Sequence, residues 1–209
     1  HIFTYYKIYM LIVLVAITLI AIIISAIGNM GIQYYNCGIM CNVEVSREGH
    51  AYLTEEFFVK RLGNPEGKTY LTATTLETQE YTVQDTENRY RSYMGVLGQV
   101  EARELDYMLL DEFSFGFYAD DRIYMDLSQL LSQEEMQNLY GRNMVVMLRE
   151  EDTQEAAPMA IDLTNTDFAA DCMLTEGKVY LVFIRNSEDP QNCIKLLDHI
   201  LQWQKKPAQ

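Results

Sequence analysis

The strongest pattern in the chain is an uninterrupted apolar run near its N-terminus. Residues 8–27 read IYMLIVLVAITLIAIIISAI and contain no charged side chain. An α-helix rises about 1.5 Å per residue, so this run spans about 30 Å, the thickness of the hydrocarbon layer of a bilayer. The apolar core of a secretory signal peptide is shorter, about 7–15 residues. The pattern therefore favours a retained transmembrane anchor over a cleaved signal peptide.

The charges on either side of this run predict its orientation. Lys7 precedes it, and the next Lys or Arg in the chain is Arg47. By the positive-inside rule, the N-terminus then lies in the cytoplasm and the rest of the chain lies outside the cell. We therefore expect a single-pass cell-membrane protein. Residues 1–28 would form a cytoplasmic stub and transmembrane anchor, residues 29–37 a juxtamembrane linker, and residues 38–204 an extracytoplasmic domain.

In the first half of that domain, segments with strand patterns alternate with segments of helical spacing. Short apolar or β-rich segments at 37–45, 68–75 and 105–110 predict strands, and residues 52–62 and 86–103 between them have helical spacing. Strands that alternate with helices in this order are typical of a mostly parallel sheet flanked by crossover helices.

The second half of the domain changes character. A short helix is predicted after the third strand, and Ser132 followed by Glu135 has the spacing of a capping box that begins another helix. Residues 143–148 and 158–163 are strand candidates that could form an antiparallel hairpin. The run KVYLVFIR at 178–185 is the clearest strand of the domain, and a final helix is predicted from Pro190 to about Gln202.

Composition narrows the classes of partner. The net charge is −14, with 16 Lys and Arg residues against 30 Asp and Glu residues. A surface this acidic repels phosphate backbones, so no nucleic-acid partner is expected. The acidity fits a general role in solubility, and the alternative is a cationic ligand or partner.

Four stretches carry a resemblance to a known family. They are ELDYMLLD at 104–111, FYADDRIYMDLSQLL at 117–131, APMAIDL at 157–163, and VYLVFIRNS at 179–187 followed by the helix CIKLLDHIL at 193–201. Together they resemble the type 2 periplasmic, or extracellular, solute-binding proteins, and in particular small membrane-anchored relatives from Gram-positive bacteria. The resemblance implies an α/β periplasmic-binding-protein-like domain whose second lobe is reduced or missing, because the chain is too short for two complete lobes.

That resemblance implies a non-catalytic module that binds a small solute, senses one or assists a transporter. The alternative is a structural or protein-interaction domain whose ancestral cleft no longer binds. Its partners would be membrane lipid through the anchor, together with a small solute or a membrane protein. The sequence contains no catalytic motif, metal-ligand spacing or phosphate-binding loop, so we expect no enzyme activity, cofactor or metal.

The four cysteines leave two interpretations open. Cys37, Cys41, Cys172 and Cys193 could all be small buried apolar residues, or Cys172 and Cys193 could form a disulfide in an oxidising exterior. Cys37 and Cys41 are too far apart on one strand to be bridged to each other.

Candidate ligand-binding residues follow from the geometry of parallel sheets. Ligands of open α/β sheets bind beyond the carboxyl ends of the strands. Polar and aromatic residues placed just after predicted strands are therefore the candidates: Asn42, Asp111, Glu112, Phe113, Asp162, Asn165 and Asn186. Each of them could instead serve only as a turn or helix-cap residue.

Overall fold

The computed structural model of the protein describes residues 12–22, 33–34, 36–63, 67–78, 82–149 and 155–204. Its helices are α1 (residues 12–22), α2 (Arg47–Ala51, continued by the π-helical segments Tyr52–Glu56 and Phe58–Leu62), α3 (Val83–Glu101), α4 (Glu112–Tyr118), α5 (Leu127–Leu130), α6 (Gln133–Gly141), α7 (Asp167–Cys172) and α8 (Pro190–Leu201). A short 3-10 turn, Ala119–Asp121, follows α4.

The strands form one mixed six-stranded sheet and one small parallel pair. The strands are β1 (Gln33–Tyr34), β2 (Gly38–Cys41), β3 (Gly67–Lys68), β4 (Leu71–Thr74), β5 (Tyr107–Asp111), β6 (Val145–Arg149), β7 (Ala156–Asp162) and β8 (Val179–Phe183). The large sheet has the order β4-β2-β5-β8-β7-β6, and β1 pairs with β3. The protein therefore has an α/β fold, with a mixed sheet flanked by helices.

The prediction of a mostly parallel sheet is correct for only two of the five strand pairs in the large sheet. Strands β4, β2 and β5 pair in parallel, whereas β8 pairs antiparallel with both β5 and β7, and β6 pairs antiparallel with β7. Asp162 at the end of β7 pairs with Tyr180 at the start of β8, so the connection through α7 stays at one edge of the sheet. A chain that re-enters the sheet at the edge it left must run back antiparallel.

Alternation along the central strand β5 divides the core into two layers. Tyr107 and Leu109 face one side of the sheet and pack in a cluster with α2, α6 and α8, whereas Met108 and Leu110 face the layer that contains α3 and α4. All four are fully buried. This two-layer arrangement is what a strand buried on both faces requires.

Several local sequence signals are confirmed at helix ends. The hydroxyl of Ser132 accepts a hydrogen bond from the backbone N–H of Glu135, whose carboxylate accepts one from the backbone N–H of Ser132. Gly63 directly follows the segment 52–62 of helical spacing, where a glycine is a helix-stop signal, and it ends α2 in the left-handed conformation with φ of 63°. Pro190 occupies the first turn of α8, as predicted. The helix α7 was not predicted, because residues 167–172 are too few to show a periodic pattern.

All four cysteines are free thiols buried in the core. The interpretation as small buried apolar residues is thus confirmed, and the Cys172–Cys193 disulfide is not formed. Burial raises the pKa of the Cys41 thiol to about 11. Burial, with the nearby Asp106 carboxylate, raises the pKa of Cys37 to about 12. These thiols therefore remain protonated and unreactive in the folded protein.

The described part of the predicted anchor is helical and bears apolar side chains on every side. The eight large apolar side chains of α1 are 49–66% exposed. The hydroxyl of Thr18 donates to the carbonyl of Leu14 at 2.6 Å, as expected for a hydroxyl that must be satisfied within its own helix. Within the described ranges, no helix has both the length and the apolar character needed to cross a membrane. Residues 8–11 and 23–27 of the predicted anchor lie outside the described residues.

The folded domain begins earlier than the sequence suggested. Residues 29–37 were expected to be a linker, yet Gln33–Tyr34 pairs with Gly67–Lys68, and Asn36 and Cys37 are buried. The backbone N–H of Cys37 also donates to the carboxylate of Asp106 at 2.7 Å. The described part of the supposed linker is therefore integrated into the domain.

Candidate functional site

The predicted ligand-binding residues mostly meet at one edge of the sheet, which we call the carboxyl edge. Strands β2, β4, β5 and β7 end there, as shown by the pairing of Cys41 with both Thr74 and Leu110, and of Tyr180 with both Leu110 and Asp162. Asn42, Asp111–Phe113, Asp162 and Asn165 therefore lie along this edge, as predicted.

At the carboxyl edge, the side chain of Asn42 is bonded to the protein's own backbone. Its amide nitrogen donates to the carbonyl of Leu76 at 2.9 Å, and its amide oxygen accepts from the N–H of Leu76 at 2.9 Å. The residue has a φ of 55°, a left-handed conformation that Asn tolerates better than most residues. This pair of bonds ties the end of β2 to the segment after β4.

Asp111 and Glu112 also form bonds within the protein. The Asp111 carboxylate accepts from the N–H of Ser114 at 2.8 Å and so caps α4. Glu112 forms an exposed ion pair with Lys178 at 2.6 Å, and hydrogen bonding to that carboxylate raises the pKa of Lys178. Both carboxylates therefore have structural partners.

The carboxyl edge also contains Asp162, Asn165 and a shallow depression beside Phe113. Asp162 accepts from the N–H of Thr164 at 2.9 Å and closes a turn, and Asn165 is exposed. The Phe113 ring is 36% exposed, 6.0 Å from the ring of Phe117. The depression has a volume of about 440 Å³ and is lined by Asp111, Glu112, Phe113, Glu176, Gly177 and Lys178.

The structure places Asn186 at the opposite edge, so the expectation that it lies with the other candidates was wrong. Because β8 is antiparallel to β5, its last residue, Phe183, pairs with Tyr107 at the start of β5. The side-chain amide of Asn186 donates to the carbonyl of Val100 at 2.6 Å and fastens the end of α3. We call this opposite side of the sheet the amino edge.

The better enclosed cavity lies at the amino edge, and we call it the arginine pocket. It has a volume of about 230 Å³ and lies between the turn after α4 and the β6–β7 hairpin. The residues that line it are Ala119, Asp120, Arg122, Tyr124, Asp126, Gln129, Leu148, Arg149, Met159 and Arg185. Its lining combines apolar side chains from the core layer of α3 and α4 with three arginines and two aspartates.

The walls of the arginine pocket are held by the main chain. Tyr124 pairs with Ile184 in an antiparallel bridge, and the backbone N–H of Arg185 donates to the carbonyl of Ile123 at 2.8 Å. The hydroxyl of the buried Tyr124 donates to the carbonyl of Phe115 at 2.9 Å. Arg122 has a left-handed backbone with φ of 54° at the turn between α4 and this bridge. These contacts fix the spacing of the turn and the end of β8.

The charges of the pocket are only partly matched. Asp126 caps α5, since its carboxylate accepts from both the backbone N–H and the hydroxyl of Ser128. Arg149 and Arg185 are exposed, and neither forms an ion pair with any residue that the structure describes. The pocket can therefore offer guanidinium groups to a ligand.

A third depression, of about 440 Å³, lies between α6 and α8 and has an acidic lining that includes Glu134, Glu135 and Asp198. Burial, with the neighbouring Glu135, raises the pKa of Asp198. In the described ranges, no three His, Cys, Asp or Glu side chains are grouped so that they could hold a metal ion.

Sequence reasoning missed the arginine pocket because its charged residues are far apart in the chain. Arg149 ends β6, and Arg185 follows two residues after β8. Both therefore occupy strand ends, the same type of position from which the other candidates were chosen. The available signal was their rarity, since cations are outnumbered by almost two to one in this chain.

Comparison with known proteins finds no matching family model, no similar curated protein and no similar solved structure.

Proposed function

We propose that the chain is a membrane-tethered, extracytoplasmic binding module without catalysis, and that it binds a small solute in the arginine pocket. The observation that carries this proposal is the pocket itself. Binding sites for small molecules are typically concave, with an apolar lining and a few convergent polar groups. Leu148, Met159 and Tyr124 supply the apolar part here, and the arginines supply the polar part. A volume of about 230 Å³ suits a solute of few heavy atoms.

The tether is supported by the sequence and by the exposure of α1. Residues 8–27 carry no charge, and the large apolar side chains of the described part are at least half exposed in nearly every case. Contiguous exposed apolar surface on this scale marks a contact with lipid or another protein. Lipid fits best, because the apolar residues surround the whole helix rather than one face. The flanking charges favour an extracytoplasmic domain.

The resemblance to solute-binding proteins supports the function more than the position of the site. In that family the ligand cleft opens at the carboxyl edge, between two lobes, and this chain resembles one lobe with a reduced second part. At that edge Asn42, Asp111 and Asp162 all bond to nearby backbone groups. These bonds indicate that the cleft at the carboxyl edge is closed, as in the alternative of an interaction domain. They say nothing against a binding site at the amino edge.

A thermal-shift screen tests the proposal on the full chain in detergent. We expect at least one member of a panel of sugars, amino acids, organic acids and amines to raise the unfolding midpoint in a concentration-dependent way. Ala119→Phe fills the pocket and should abolish the shift, whereas Ala170→Phe, at an exposed alanine of α7, should leave it unchanged. A flat response to the whole panel would reject solute binding and favour the interaction domain.

Protease access on intact cells tests the tether and its orientation. We expect the domain to be cleaved from intact cells and to remain with the membrane fraction when untreated. Cleavage only after lysis would place the domain in the cytoplasm and contradict the proposal. Release of the untreated protein into the medium would contradict the anchor.

A further inference from the structure

We infer that the solute of the arginine pocket is a small organic anion, bound through a carboxylate by Arg149 and Arg185. This inference rests on the proposed function, because it assigns a chemical class to the ligand of the same pocket. The chain as a whole argues against an anionic ligand, with a net charge of −14. The pocket differs from the chain as a whole, because its lining contains three arginines and only two aspartates.

The two arginines are the main support for an anion. Arg149 and Arg185 have no ion-pair partner among the described residues, and both border the same cavity. Other exposed arginines, such as Arg91 and Arg103, also have no ion-pair partner among the described residues, so the shared cavity is what distinguishes Arg149 and Arg185. A guanidinium donates two parallel hydrogen bonds to a carboxylate, which adds both strength and geometric selectivity.

The apolar lining indicates that the anion has a hydrocarbon part. Tyr124 and Met159 are buried core residues that reach the cavity, and the hydroxyl of Tyr124 already donates to Phe115. A free inorganic ion would leave this lining in contact with water. A short carbon chain would cover it and gain about 25 cal/mol per Å² of apolar surface removed from water. The lining therefore favours a carboxylate with a few carbon atoms over inorganic phosphate.

The aspartates of the pocket sharpen the prediction. Asp126 is held by the first turn of α5, and Asp120 makes no such capping bond. An anion bound in the pocket is repelled by the Asp120 carboxylate, and a cation is attracted by it. The two ligand classes therefore respond to a change at Asp120 with opposite signs.

Titration calorimetry on the full chain in detergent, at low ionic strength, tests the inference with glutarate, its uncharged diamide and inorganic phosphate. We expect glutarate to bind and the other two to bind at least tenfold more weakly. Arg149→Gln and Arg185→Gln should each weaken glutarate binding about tenfold, the cost of one charged hydrogen-bonding partner. Arg91→Gln, at an exposed arginine of α3 outside the pocket, is the matched control and should leave binding unchanged.

Asp120→Asn should strengthen glutarate binding several-fold, because it removes a negative charge from the lining of the pocket. Circular dichroism checks that the variants fold, which the exposed positions of the altered side chains favour. Equal binding of glutarate and its diamide, or glutarate binding that is unaffected by both arginine variants, would overturn the anion assignment. If a neutral or cationic solute binds and Ala119→Phe blocks it, the proposed function stands and only the anion is rejected. If no solute of any charge binds, both are rejected.

Discussion

The two edges of the sheet use polar residues in different ways. At the carboxyl edge, Asn42, Asp111 and Asp162 satisfy backbone groups within the same segment or its neighbour. At the amino edge, Arg149 and Arg185 border a partly enclosed cavity and have no ion-pair partner among the described residues. A polar residue at a strand end therefore marks a binding site only when its hydrogen-bonding groups are not already required by the fold.

Substitution of Asn42 should give the largest effect and tests the structural role of the carboxyl edge. Asn42→Ala removes two hydrogen bonds, leaves the polar backbone groups of the buried Leu76 without these partners, and places alanine at a φ of 55°. We expect a loss of about 3 kcal/mol in the free energy of unfolding, measured with urea. Asn42→Gly removes the same bonds without the backbone strain and should lose about 1 kcal/mol less. A negligible loss in both variants would contradict the structural role.

Acidification should give the next largest loss of unfolding free energy. Variants at the two edges should therefore be compared at the same pH. His199 is buried, its ring stacks on that of Tyr52 at 3.8 Å, and burial lowers its pKa to about 4. The folded protein therefore keeps a neutral imidazole, while the unfolded chain takes up a proton below about pH 6.5. The contribution of the neutral His199 to the free energy of unfolding is present in full above that pH and is lost as the pH falls toward 4. The expected loss is about 2 kcal/mol between pH 7 and pH 5.

Urea titrations of the protein and of His199→Gln at pH 7 and pH 5 measure this contribution. Asp106 has a raised pKa because of its burial, and it acts in the opposite direction in acid. Its contribution is common to both proteins and cancels in the difference between them. The variant should show a smaller loss on acidification. An identical loss in both proteins would exclude His199 as the cause.

Removal of the Asp111 carboxylate tests whether that residue is a helix cap. Asp111→Ala leaves the N–H of Ser114 without its acceptor and should cost about 1 kcal/mol of unfolding free energy. Asp111→Asn retains an acceptor oxygen and should cost less than half as much. If the protein instead loses ligand binding while its stability is unchanged, the carboxyl edge is the binding site and the comparison between the edges is reversed.

The smallest expected effect is at the amino edge. Arg149→Gln and Arg185→Gln should change the free energy of unfolding by less than about 0.5 kcal/mol, because both side chains are exposed and unpaired among the described residues. Urea unfolding without ligand measures this. A loss above about 1 kcal/mol would show that these arginines stabilise the fold, and they would then be weaker candidates for binding a ligand.

The sequence predicted the identity of most elements because their signals are local. The capping box at Ser132, the left-handed Gly63 at the end of α2 and the apolar run of β8 each depend on a few neighbouring residues. The direction of β8 depends instead on where the preceding connection lies, and an all-apolar strand has the same pattern in both directions. Because β8 runs antiparallel to β5, Asn186 lies at the amino edge, and its predicted position at the carboxyl edge was wrong.

The binding site was harder to predict than the fold because it depends on what is left unpaired. Asn42 and Asp111 were sound candidates by position, and only the structure reveals that their side chains bond to Leu76 and Ser114. Arg149 and Arg185 are brought together by the pairing of β7 with both β6 and β8. No spacing along the chain contains that information.

The four buried thiols can be used to measure local unfolding of the protein. A thiol-specific reagent reacts with thiolates that it can reach. Burial denies the reagent access to all four cysteines in the native state, and it also raises the pKa of Cys37 and Cys41. A cysteine is therefore labelled only after local or global unfolding has exposed it. Cys37 precedes β2, Cys41 is the last residue of β2, and Cys172 and Cys193 lie in helices α7 and α8. Mass spectrometry of the labelled peptides would rank these regions by how often each one opens.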